Sequence, residues 1–153
     1  MPLKDLVTAI DKFLAKVEVW APGQAVRFAP VLDDLIKWSE ENSWGVQFTH
    51  HTGVHHLVKY CVPGITTPFW SVVPRTSDGA RLTLMNDPHP RYPEALRTEA
   101  RIELARIDGV AAKTEGVPEV AFTKLIWAPY RERVLDLMTR LLNGVHGRVP
   151  VAG

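Results

Sequence analysis

The chain is poor in several things, and each scarcity removes a class of protein. Among 153 residues there is one cysteine, Cys61. A lone thiol cannot close an internal disulfide, so the fold must be held by its own core and calls for no oxidising compartment. No apolar run approaches the roughly 18 residues that a membrane span requires. The opening Met1-Pro2-Leu3-Lys4-Asp5 lacks the basic cap and apolar stretch of a secretory signal. The expectation is a cytoplasmic protein that engages no membrane.

An excess of one charge is also missing. Eighteen Lys and Arg residues face seventeen Asp and Glu, for a net charge of +1, so strong steering toward a polyanion is not expected. The chain has no phosphate loop, no dinucleotide fingerprint, no Gly-x-Ser-x-Gly elbow, no Cys-x-x-Cys and no His-Glu-x-x-His. Each of these spacings carries a definite chemistry, so their absence weighs against the common enzyme classes.

What is present reads as an ordinary globular domain. Hydrophobic residues make up 46% and charged residues 23%, close to the usual soluble composition. A chain of this length buries about two-thirds of its unfolded surface and needs no metal or disulfide to fold. One domain is expected over residues 1–145, with a frayed tail over 146–153.

Leu3, Leu6, Val7, Ile10, Phe13, Leu14 and Val17 recur at three- and four-residue steps, the stripe of an amphipathic helix. That helix should stop before Ala21-Pro22-Gly23. A second helix is predicted to open at Pro30, whose missing N–H costs nothing in a first turn, and to end at Asn42-Ser43. From Trp44 the period becomes two, with Val46, Phe48 and His50 on one face of a strand. His51-Thr52-Gly53 is predicted to turn it into a second strand, Val54 to Cys61. Further strands are expected over Phe69–Val73 and Ala80–Met85, joined by a hairpin at Asp78-Gly79.

After a proline-rich crossing, Pro93–Ile107 should be helical and capped by Asp108-Gly109. Residues 110–119 read as a loop, and Val120–Trp127 as either a short strand or a helical turn. A last helix should open near Pro129 and end at Asn143-Gly144. Helices, then strands, then helices argue for an α+β fold. Its antiparallel sheet of four to five strands, a meander, would be covered by helices on one face, two from before the sheet and two from after it.

For chemistry, the histidines come first. His50, His51, His55 and His56 fall within seven residues, and imidazole is the commonest transition-metal ligand. In the register above, His50 and His56 share a face and would hold a divalent metal, as in a small metal-dependent hydrolase. Solvated histidines at a hairpin tip are the plainer reading, with no cofactor. Cys61 ends an apolar strand and reads as core rather than as a nucleophile. Arg97 and Arg101, and the arginines of the last helix, read as ion-paired helix faces.

Trp70, Arg75 and Arg81 combine an aromatic with arginines beside a turn, a pattern that can stack bases and hold phosphates. With no convergent catalytic set, the leading reading is a non-enzymatic binding or accessory module. Its sheet and hairpin surface, Trp70, Arg75, Arg81, His55 and Tyr60, would take a protein or nucleic acid partner. A homodimer that buries an aromatic patch is the remaining alternative.

Overall fold

A computed structural model describes residues 3–42, 47–49, 58–62, 64–65, 67–76, 79–112 and 115–146, and these form ten elements. Helices α1 (Leu3–Trp20) and α2 (Ala25–Glu41) lead into strands β1 (Gln47–Thr49), β2 (Val58–Cys61), β3 (Trp70–Arg75) and β4 (Gly79–Leu84). Helix α3 (Glu94–Asp108), strand β5 (Glu119–Ala121), the short α4 (Phe122–Leu125) and α5 (Ala128–His146) complete the chain. The sheet order is β1-β2-β3-β4-β5 and every pair is antiparallel, so the sheet is the expected meander. Among the described residues no helix is long and apolar enough to cross a membrane.

Register divides the sheet into two unlike faces, because successive side chains alternate. Tyr60, Trp70 and Leu84 line up across three strands, and Val58, Val72, Leu82 and Val120 across four. All seven are buried in one core with Phe13, Phe28, Leu35 and Met138 from the helices. The opposite face carries the row Lys59, Ser71, Thr83 and Glu119, with Val73, Arg81 and Ala121 beside it.

The core is organised around aromatic rings. Trp70 stacks on Tyr60 at 6.2 Å between centroids, and Trp38 on Phe69 at 5.9 Å. Each buried indole still needs an acceptor for its N–H. Trp70 Nε1 donates to Ser39 Oγ at 2.8 Å, and Ser39 Oγ donates onward to Leu35 O at 2.9 Å. Trp38 Nε1 donates to Thr139 Oγ1 at 2.9 Å, which ties α2 to α5.

Two helix boundaries differ from expectation. Helix α2 begins at Ala25, with Pro30 inside it. The five added residues bring Phe28 into the core, where it is fully buried and meets Phe122 edge-on at 5.3 Å. Pro30 can donate nothing to the Val26 carbonyl, but Val26 lies on an exposed turn where water can serve. Helix α5 likewise runs through Asn143-Gly144 to His146, because Val145 is fully buried and continues its stripe. Gly144 is there for proximity: a Cβ would stand 2.9 Å from Leu96 Cδ1 of α3. The ambiguous segment after the loop proves to be both alternatives in turn, β5 and then α4.

The cap on α3 is as expected, with Gly109 left-handed at φ 72°. Less expected is Met85, just past β4, which is buried with φ 45°. A non-glycine residue there carries strain of about 1–3 kcal/mol. Its carbonyl accepts from Arg97 Nε at 2.9 Å, and Asn86 O from Arg97 Nη2 at 3.2 Å. That arginine therefore fixes the exit of the sheet.

Candidate functional site

The residues expected to form one binding surface are parted by the sheet. Trp70 and Tyr60 are 0% and 1% exposed and face the helices, so they belong to the core. Arg75 and Arg81 lie on the opposite, polar face. His55, and the metal candidates His50 and His56, lie outside the described residues, as does the turn at 51–53. Among the described residues no group of His, Cys, Asp or Glu is arranged to hold a metal ion.

On the polar face the two arginines converge on a residue that sequence reasoning passed over. Glu119 Oε2 accepts from Arg75 Nη2 at 3.1 Å and Oε1 from Arg81 Nη1 at 3.0 Å. One carboxylate thus spans guanidinium groups from β3 and β4. Register explains the meeting: Arg81 pairs with Ala121 and Thr83 with Glu119, while Arg75 ends β3 opposite Gly79. Charge-assisted bonds of this kind fix the planar guanidinium in position. In the next row Ser71 Oγ and Thr83 Oγ1 are 2.7 Å apart, in a hydrogen bond across β3 and β4. Lys59 stands beside Ser71 at the β2 end of that row.

The β5 edge of the face adjoins a cleft of about 230 Å³ between α3, the segment entering β5 and the start of α4. Its charged groups are held by partners. Arg101, 5% exposed, donates to Glu94 Oε1 at 2.7 Å, Thr98 Oγ1 at 2.8 Å and Gly116 O at 2.9 Å. The bond from Arg101, followed by the nearby charges of Arg101 and Arg97, holds the Glu94 carboxyl below its usual range. Asp108 Oδ2 accepts from Lys124 Nζ at 2.9 Å and Oδ1 from the Tyr130 hydroxyl at 2.7 Å.

Burial first, then the bond to the Asp108 carboxylate and its charge, push the Tyr130 phenol well above its ordinary range. The folded protein therefore holds this proton more tightly than the unfolded chain does. The resulting stability is complete below the ordinary phenol pKa of about 10 and is lost as pH rises from there toward the raised pKa of the folded protein. Urea midpoints measured up the alkaline limb should fall less steeply in Tyr130→Phe than in the parent chain. Equal slopes in the two proteins would remove Tyr130 as the source.

Other candidates resolve into structure. Burial pushes the Cys61 thiol up, against a smaller lowering from Lys59, which favours the neutral form over a nucleophilic thiolate. Arg131 bonds Asp34 of α2 at 2.8 Å and the Leu125 carbonyl at 2.8 Å, joining α5 to α2 and α4. Among the described tryptophans, Trp127 is the one left open, 68% exposed just before α5, whereas Lys16 Nζ lies 4.5 Å over the Trp20 ring. Compared with models of known families, with characterised proteins and with solved structures, the chain finds no match.

Proposed function

We propose that this protein is a non-enzymatic binding or accessory module whose recognition surface is the polar face of its sheet, and that its partner is a protein presenting acidic groups. The observation that carries the reading is the Arg75–Glu119–Arg81 bridge. Arg75 is 43% exposed at its side chain yet already oriented by Glu119, so little conformational freedom remains to be lost when it meets a carboxylate. With Lys59, the described residues of this face carry three cations and one carboxylate, and complementary charge on a partner follows.

Protein is favoured over nucleic acid by the placement of the aromatics. Bases need exposed rings to stack on, and the described residues of the polar face include none, since Trp70 and Tyr60 are turned into the core.

Arg75→Glu tests the reading, because it reverses the exposed charge without entering the core. Loss of an exposed ion pair costs up to about 1 kcal/mol, so the variant should fold. Partners cross-linked to the parent chain in cells would be purified and titrated against both proteins. At least one should bind the variant about tenfold or more weakly. If each recovered partner bound both proteins equally, the polar face would not be the recognition surface. An oligonucleotide held by the parent and lost by the variant would keep the face and change the partner class.

A further inference from the structure

We propose that the cleft between α3 and β5 is a ligand site of its own, for a carboxylate carried on a short apolar body. It does not depend on the reading of the polar face, although Arg81 and Glu119 border both. The inference starts from what the lining offers. Leu104, Ala105 and Val120 supply an apolar, largely buried floor. Among the described residues around it stand three cations, Arg81, Arg101 and Lys124, and two carboxylates, Asp108 and Glu119.

The two signs are not equivalent to an incoming molecule. Each of the four carboxylate oxygens already accepts from a side chain: Arg75 and Arg81 on Glu119, Lys124 and Tyr130 on Asp108. An incoming cation would meet carboxylates whose charge those donors already offset. Lys124, by contrast, is half exposed and its ammonium carries three N–H groups, of which Asp108 takes one. A cation fixed at the mouth of an apolar hollow is the arrangement that captures an acid by its head and shelters its tail.

Size narrows the class. The volume of 230 Å³ lies below the roughly 300–1,000 Å³ of sites for drug-sized ligands. At about 30 Å³ per water it equals roughly eight waters, room for a branched five-carbon acid. Such a group could belong to a free short-chain acid or to the last residue of a peptide, and the chemistry recognised is the same.

The test titrates the ¹⁵N-labelled full chain with isovalerate, with isovaleramide and with N-acetyl-alanyl-valine bearing a free carboxylate, following the amides of Ala105, Val110 and Ala121. At least one acid should give saturable shifts there, with the amide about tenfold weaker, the worth of one charge-assisted hydrogen bond. Lys124→Gln should weaken the acid by a similar factor while its melting temperature stays that of the parent. Shifts with the dipeptide alone would assign the site to a peptide terminus, and equal shifts with isovalerate to a free acid. The proposal is overturned if neither acid binds, if the amide binds as well as the acid, or if Lys124→Gln binds like the parent. Because Arg75→Glu leaves Lys124 in place, failure at the cleft and failure at the sheet face are read by different variants.

Discussion

Trp70→Ala should lower the unfolding free energy by about 3–5 kcal/mol, the largest loss expected from any single side chain here. Three contributions combine in it. The indole is fully buried, so truncation forfeits its transfer free energy and leaves a cavity. The stack on Tyr60 goes with it. Ser39 also loses the N–H that reaches it across the core at 2.8 Å. Against a typical total stability of about 5–15 kcal/mol, much of the folded margin disappears.

A companion variant separates the hydrogen bond from the packing. Ser39→Ala keeps the ring but strands its buried N–H, at about 1–3 kcal/mol. In a double-mutant cycle with Trp70→Phe the two losses should be less than additive, since either change alone breaks the bond. Urea unfolding read by far-ultraviolet dichroism measures the four proteins of the cycle and Trp70→Ala. A loss below about 1 kcal/mol for Trp70→Ala would mean that the indole is not core. Substitutions at Trp70 would also weaken binding by destabilising the fold, so they cannot test a binding surface. Arg75 can.

The second large effect is expected at Gly79, where β4 begins opposite Arg75. Its φ is +93°, and a Cβ there would lie 2.9 Å from Phe28 Cε2 and 3.2 Å from Ala21 Cβ. Strain and crowding therefore act together. The left-handed conformation costs a non-glycine residue about 1–2 kcal/mol. Overpacking a filled core costs about 1–3 kcal/mol, and the fully buried Phe28 ring, in edge contact with Phe122, has little room to yield. Gly79→Ala should lower stability by about 3 kcal/mol. Phe28→Leu in the same chain should restore part of the crowding share and none of the strain. Thermal unfolding of the two variants against the parent decides it, and a Gly79→Ala protein as stable as the parent would refute the close approach.

Much of this architecture is legible in the sequence, for reasons that also explain what is not. Strand periodicity and the Asp-Gly turn are local signals, so β3, β4 and their pairing follow from a few residues. The same alternation carries a warning about the site. Trp70 and Arg75 are five apart on one strand and must face opposite ways, so an indole and a guanidinium on that strand cannot share a surface. Arg75 and Arg81, placed across the hairpin, can. Glu119 was illegible because it joins β4 through a pairing 38 residues distant from Arg81, and no local pattern announces such a partner. The start of α2 escaped for a related reason. Pro30 looks like a first turn in isolation, and the burial of Phe28 against Phe122 overrides that preference.

The shortness of the outer strand β5 has a consequence for life in a crowded solution. The unpaired backbone of an edge strand is a template on which another chain can assemble, and long flat edges are where sheets recruit one another into aggregates. Here β5 offers three residues and turns into α4 at its next residue. A visiting strand would gain few hydrogen bonds before the template ended. The sheet thus limits its own growth by geometry at the β5 edge, leaving the charges on its polar face available for other uses.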